Sequence, residues 1–488
     1  MGVVDLFDDP SGDRAQAAVE EEYENKAQWL DALRQHESRN ALVHTPVDSH
    51  RRDLFASYPP IAGRPSMESI DEYVWTFQKE ELCLHITPGM EHPTLSVMVP
   101  MAIQDPGLFK CLITAAQSLY ERRRNPDPRG SVRSKALILA QNDAIQALQK
   151  RLAQPDAPFD DGVVMSVLHL MTADSSAADL PALKMHLKGA RQIIALRGGL
   201  GGSPAHLALR GTMATTEFYI ALAQYLRLSP DDRSAMPMQP ITYVGHPFPP
   251  KVCDYVAKMP VGVAEAALTG QLSVRCMKML AELSQWAPLA DRGLTGSGQQ
   301  AQQPQPQPQD VQMARYARLY CAPREFARDA MMLVLDLQRS GIPPGLEHVT
   351  ASGLATIVRH MSEQNPTTIF DHMSLNILLA NVKAIDTPTV AESEVIIWLA
   401  LVVKWRTQSA KGPSPKADEL LEYALESFPA TRTWNKGMAK ICRKFWWFGR
   451  FETEWKATWQ RGLERLEQRR RRVVEEKKAS LSYPGTNK

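Results

Sequence analysis

Between Leu183 and Gly199 the chain repeats at helical spacing and then stops. Leu183, Leu187, Ala190, Ile194 and Arg197 recur every three or four residues, with His186 and Ile193 beside them. That spacing lays one apolar stripe along a helix. Gly198 and Gly199 come next, and glycine takes the left-handed backbone that closes a helix without steric cost. A chain written this way folds into helices with defined ends.

The same pattern recurs on both sides. Ser69, Asp71 and Glu72 read as a helix start, with the core beginning near Ser66. Asp105-Pro106 opens a helix whose face is Leu108, Leu112, Ala115 and Leu119. After a polar turn, Glu121 to Gly130, Ser131 is the expected cap of a helix lined by Ile138, Ile145, Leu148 and Leu152. Asp160 or Asp161 caps the next, which carries Val163, Val164, Val167, Leu168 and Met171. Further helices are expected over Thr212–Leu228, Val261–Leu289 and Val311–Ser340. Within the last of these, Pro323 sits where a helix can begin, and Phe326, Ala330, Leu333 and Leu337 follow it at core spacing. Ala391–Gln408 and Ala417–Ser427 follow, split by the loop Ser409–Pro415.

Strand signals are nearly absent, Ile241 to Val244 being the best short run. The fold class is therefore all-α, a large multi-helix bundle with long proline-rich and Gln/Pro-rich disordered loops. Three regions follow from the pattern. Residues 1–65 combine a charged helix over about 14–38 with a linker rich in Pro, Arg and His. Residues 66–460 hold the bundle, interrupted by the proline-rich connector Ser229–Pro250 and by a Gln/Pro loop at 296–310. Residues 461–488 form a basic helix end and tail. Helix pairs loosely resemble solenoid units, but no regular repeat period is present.

Charge narrows the function classes. With 56 basic and 54 acidic side chains the net charge is +2, which gives no whole-molecule attraction to nucleic acid or anionic membrane. The six cysteines, Cys83, Cys111, Cys253, Cys276, Cys321 and Cys442, include no CxxC pair. They read as free thiols in a reducing compartment. The opening MGVVDLFDDPSGDR is acidic and lacks an apolar signal core, and the longest apolar run, Val395 to Val403, is too short to span a membrane. A soluble intracellular protein is expected.

Three successive segments carry a resemblance. Ala136-Leu137 through Leu152 comes first, then DDGVVMSVLHLMTAD from Asp160 to Asp174, then MHLKGARQIIALRGG from Met185 to Gly199. A Trp-bearing segment, Ile396 to Trp405, follows much later. In this order they resemble the regulatory region of fungal zinc-cluster (Zn2Cys6) transcription factors, strongly over about 100–220 and diffusely to about 460. Within the third segment the family motif falls on His186, Gly189, Ala190, Arg197, Gly198 and Gly199. The family's DNA-reading module needs six cysteines within about thirty residues, sharing two zinc ions. Here Cys83 and Cys111 are the first two. The resemblance is to the regulatory part alone: either the regulator lacks a cluster, or an upstream exon encodes it.

Other constellations have two readings each. Gly198 to Gly202 follow a helix and meet its carbonyl end, whereas phosphate loops lead into a helix. Capping is the preferred reading. His169 and His186 lie on or beside apolar faces without an HExxH partner. They read as packed, hydrogen-bonded histidines. No GxSxG elbow is present, and Asp160-Asp161 and Asp231-Asp232 read as cap and loop acids. Near the C-terminus, Trp447, Phe451 and Trp455 recur every fourth residue, with Phe448, Trp459 and basic groups interleaved. This suits either a base-stacking platform or a helix packing its aromatic face on the bundle, and the helical period favours packing. Arg469, Arg470, Arg471 and Arg472 with Lys477 and Lys478 form a basic cluster. It suits nuclear import or phosphate contact, with a solvated helix end as the plain alternative.

These readings converge on a non-enzymatic, nuclear regulator of fungal type, acting through a helical regulatory and protein-interaction domain. No cofactor, metal or membrane is expected, and protein partners are. Direct DNA contact is left open, to the basic helix end alone. The alternatives are a helical scaffold without a transcriptional role, placed in the cytoplasm, and a helical enzyme whose site is assembled from distant residues.

Overall fold

Helix periods in the sequence become helices in space, with few exceptions. The computed structural model describes residues 67–78, 94–124, 133–227, 239–292, 320–362, 369–409 and 414–481. All of them belong to the compact unit Ile61–Lys488. The expected helix at 14–38, the linker before Pro65, the Gln/Pro loop at 296–310 and the pair Asp231-Asp232 lie outside the described residues. Among the described residues there is no strand, and the one bridge, Tyr243 to Ser273, is isolated. The fold is all-α.

The first group of helices is α1 (Met67–Gln78), α2 (Val99–Gln104), α3 (Pro106–Arg124), α4 (Lys135–Leu152), α5 (Asp161–Ser176) and α6 (Leu180–Leu196). α3 packs on α1, α2, α4 and α5, and α5 packs on α3, α4 and α6. A helix enclosed on several sides must be apolar all round. α5 meets this condition, with every residue from Gly162 to Met171 buried. Asp105 accepts the Gly107 and Leu108 amides at 2.7 and 3.1 Å and starts α3.

Helix α7 (Pro204–Arg227) joins this group to the rest, packing on α5 and α6 and also on the two later helices α11 (Ala322–Arg339) and α13 (Ile369–Lys383). Between them in sequence lie α8 (Pro250–Val256), α9 (Val261–Leu268), α10 (Val274–Arg292) and α12 (Leu346–Ser362). The chain ends in α14 (Val390–Ser409), α15 (Pro415–Ser427), α16 (Ala439–Cys442) and α17 (Glu452–Leu481). α12 is the centre of this second group, against α11, α13 and α14. Every residue from Leu346 to Arg359 is buried. Gly353 makes the crossing with α14 possible, because a Cβ there would lie 2.5 Å from the Leu399 side chain. α14 begins with a reciprocal cap: Thr389 Oγ1 accepts the Glu392 amide at 3.3 Å, and Glu392 Oε2 accepts the Thr389 amide at 2.8 Å.

Several expectations shift. The cap of α4 is Ser134, which accepts the Leu137 amide at 3.1 Å, and not Ser131, which lies outside the described residues. Its buried face is Leu137, Ala140, Gln141, Ala144 and Leu148, while Ile138 and Leu152 face solvent. Ser69 is buried inside the first turn of α1, which begins two residues earlier. The turn expected from Glu121 begins later, since α3 runs to Arg124. α7 starts eight residues before Thr212, at Pro204, capped by Ser203 accepting the His206 amide at 3.2 Å. Val261–Leu289 is two helices, broken where Gly270 takes φ +74°. α2, α8, α12, α13 and α16 correspond to no helix expected from the sequence.

Candidate functional site

The motif His186–Gly199 builds one side of a helical hairpin. α5 and α6 are joined by three residues, and Asp179 caps α6 by accepting the Ala182 amide at 3.1 Å. Leu180, Leu183, Leu187, Ala190 and Ile193 face inward. Ile193 rather than Ile194 carries the stripe, since Ile194 is half-buried. The C-terminal end of α6 is a Schellman motif: Gly199 N–H donates to Ile194 C=O at 2.9 Å and Gly198 N–H to Ala195 C=O at 3.1 Å. Gly198 and Gly199 have φ of +80° and +111°.

The polar members of the motif hold α5 at both ends. His186 Nδ1 lies 2.6 Å from Asp174 Oδ2, in the last turns of α5. Arg197 Nη1 lies 2.9 Å from Asp161 Oδ1, at the first residue of α5, and His206 Nε2 meets the same oxygen at 2.9 Å. Thirteen positions separate Asp161 from Asp174, and eleven separate His186 from Arg197. At 1.5 Å per residue these spans are about 20 and about 16 Å, so antiparallel helices bring both pairs together. We call this arrangement the clasp.

Asp174 is wholly buried, and it is surrounded by donors. Gln141 Nε2 donates to it at 3.1 Å, and Arg133 Nη2 lies 3.5 Å away while also reaching Asp179 at 2.8 Å. A buried carboxylate without such partners carries a large desolvation cost. His169, on α5 itself, differs. It is buried against the edge of Tyr73 with ring centroids 6.5 Å apart, and its Nε2 has no hydrogen-bond partner. Burial pushes its pKa down to about 4, so the ring is neutral. It packs, as expected, but without the expected hydrogen bond at Nε2.

The aromatic run near the C-terminus packs on the bundle, with Trp455 and Trp459 buried and Trp447, Phe448 and Phe451 half-buried. α17 begins only at Glu452, so Trp447, Phe451 and Trp455 do not form one helical stripe. They converge through tertiary packing instead. Trp455 is fully buried, 4.6 Å from Trp447 and 5.6 Å from Trp405, centroid to centroid. Trp459 Nε1 donates to Thr431 C=O at 2.8 Å, and Trp405 Nε1 to Glu454 at 2.7 Å. Trp455 and Trp459 therefore offer no face for base stacking. In the basic cluster, Arg469 is tied to Glu422 at 3.1 Å and to Glu426 at 2.6 Å, and Arg470 lies 3.9 Å from Glu426. Arg471 and Arg472 are exposed, whereas the side chains of Lys477 and Lys478 lie outside the described residues.

Residues 73–230 match the family model described as fungal specific transcription factor domain. That stretch, 158 of the 488 residues, is what is similar to the family. The match opens within α1 and closes just beyond α7, so the clasp lies inside it and the joining helix α7 ends it. No curated protein and no solved structure matches the chain.

Inside and beyond this domain the cysteines lie apart. Cys111, Cys276, Cys321 and Cys442 are buried and Cys253 is exposed. Burial pushes Cys111 up to about 12 and Cys321 up to about 11, and raises Cys276 and Cys442 as well. Protonated thiols are neither nucleophiles nor zinc ligands. Among the described residues no three His, Cys, Asp or Glu side chains converge as a metal site. The family residues His186, Ala190, Arg197, Gly198 and Gly199 all act within the helical hairpin. Gly189 alone has no contact that explains it: a Cβ there would meet nothing within 4 Å.

Proposed function

We propose that this chain is a nuclear transcription regulator that works through protein contacts of its helical bundle, without a zinc cluster of its own. The match of residues 73–230 to the fungal specific transcription factor domain carries the reading. The scattered cysteines and the raised thiols support the second clause. The clasp supports the first, since the motif's charged groups hold helices together and present no reacting centre. Promoter contact is then indirect, and the exposed Arg471 and Arg472 serve nuclear import.

A tethering assay tests this. The full chain is fused to a heterologous DNA-binding domain and placed on a reporter promoter. Reporter output is expected to change relative to the DNA-binding domain alone at equal nuclear abundance. Unchanged output would sink the reading.

A further inference from the structure

We infer that the outer face of α6 docks an acidic amphipathic helix of a partner protein; this rests on the reading above that the bundle acts through protein contacts. Met185, Gly189, Gln192 and Leu196 follow one another at three- and four-residue steps, which places them in one line on the side away from α5. Met185 is 63% exposed and Leu196 69%. Between them Gly189 and Gln192 carry no large apolar side chain, so the two apolar groups stand at the ends of one open line. Large apolar groups left open in a row mark an interaction surface more than single ones do.

Gly189 points outward from the fold. Glycine inside a helix costs about 1 kcal/mol relative to alanine. Elsewhere in this chain a helical glycine has a local reason, as Gly353 does against Leu399. At Gly189 the space is open and the backbone is helical. A bare backbone between Met185 and Leu196 lets another helix approach closely, with an apolar contact at each end. The charge of that helix follows from the edge of the face. Lys184 and Lys188 are exposed, and among the described residues neither is in an ion pair. Arg191 lies on the same edge, reaching Glu217 at 2.6 Å. Acidic side chains flanking a leucine stripe complement this row, while the exposed Met185 and Leu196 beside it favour a helix over a phosphate backbone.

The test is an anisotropy titration of the full chain with a labelled helical peptide of about 20 residues, leucines at three- and four-residue spacing and glutamates on both flanks. A control peptide replaces every glutamate with lysine. The acidic peptide is expected to bind saturably and more weakly as salt rises. Affinity should fall about tenfold or more in Lys184→Glu/Lys188→Glu and in Gly189→Gln. All three positions are on the outer face, and Gly189→Gln should raise the melting temperature, so loss of fold does not confound the result. The lysine peptide should bind only the charge-reversed chain. Absence of binding, equal binding by both variants, or equal binding of the two peptides overturns the inference. In the tethered reporter, variants as active as the parent chain overturn this face and leave the proposed function standing. An inactive parent chain overturns that function, and the titration still decides the face.

Discussion

Two glycines of one motif should respond in opposite directions. Gly198 holds φ +80° just past Arg197, the C-cap of α6, where a Cβ is strained. Gly198→Ala is expected to cost about 1 kcal/mol. Gly189→Ala, in open space inside the helix, should gain about 1 kcal/mol. Urea midpoints of the two variants check this, and shifts of the same sign would contradict the assignment. Buried histidines give a second prediction. His169 and His348 are pushed down from 6.5 to about 4 by burial, and Nε2 of each is without a partner. Both rings are neutral in the fold above about pH 4, while the unfolded chain takes up protons below about pH 6.5. Their contribution is therefore full above about pH 6.5 and is lost as pH falls toward 4, by about 3 kcal/mol per histidine. Glu347, whose carboxyl is raised by burial, acts in the opposite sense. Urea midpoints should fall steadily between about pH 7 and about pH 5; flat or rising midpoints would show that the rings are not held neutral.

At the scale of the element, the clasp is the feature to break. Asp174 is the wholly buried acceptor for Gln141, Arg133 and His186, so Asp174→Ala, which leaves these groups without it, should cost about 1–3 kcal/mol. Its effect should couple to His186→Ala by about 1–3 kcal/mol in a double-mutant cycle. Additive losses would mean that the 2.6 Å contact contributes nothing of its own. Trp455→Ala should cost about 3–5 kcal/mol as a core cavity, read as a lowered melting temperature. Where sequence period and burial coincide, the elements were legible: α5, α6, α11 and α14 stand close to where the spacing puts them. α12 escaped because polar residues, among them Glu347, His348, Ser352 and Thr356, stand within a run that is buried on every side. Its hydroxyls bond within the helix, Thr356 Oγ1 donating to Ser352 C=O at 2.8 Å. The stripe of α4 slipped by one position because Gln141 is buried for its bond to Asp174 and Ile138 is not. Each end of the clasp joins residues far apart in the chain. Only the matched spacing of Asp161 and Asp174 against His186 and Arg197 could have disclosed it.

For the whole molecule, α7 is the structural joint. It packs on α5 and α6 of the first group and on α11 and α13 of the second. Glu217 on α7 takes Arg191 from α6 at 2.6 Å and Arg328 from α11 at 3.2 Å, so one carboxylate ties both groups. The family match ends just past this helix, so the described bundle extends well beyond the recognised domain. On the proposed function this bundle is a platform for protein contacts and does not read DNA directly. Half of the arginine cluster is already engaged by Glu422 and Glu426, and the net charge of +2 supplies no general attraction. Non-specific DNA binding through free basic groups typically has a Kd of about 1–100 µM at physiological salt. The decisive measurement is a titration of the 488-residue chain against duplex DNA at physiological salt, alongside Arg471→Gln/Arg472→Gln. No saturable binding tighter than about 1 µM is expected, with the same curve for both proteins. Tighter, salt-dependent binding that disappears in the arginine variant would contradict the proposed function.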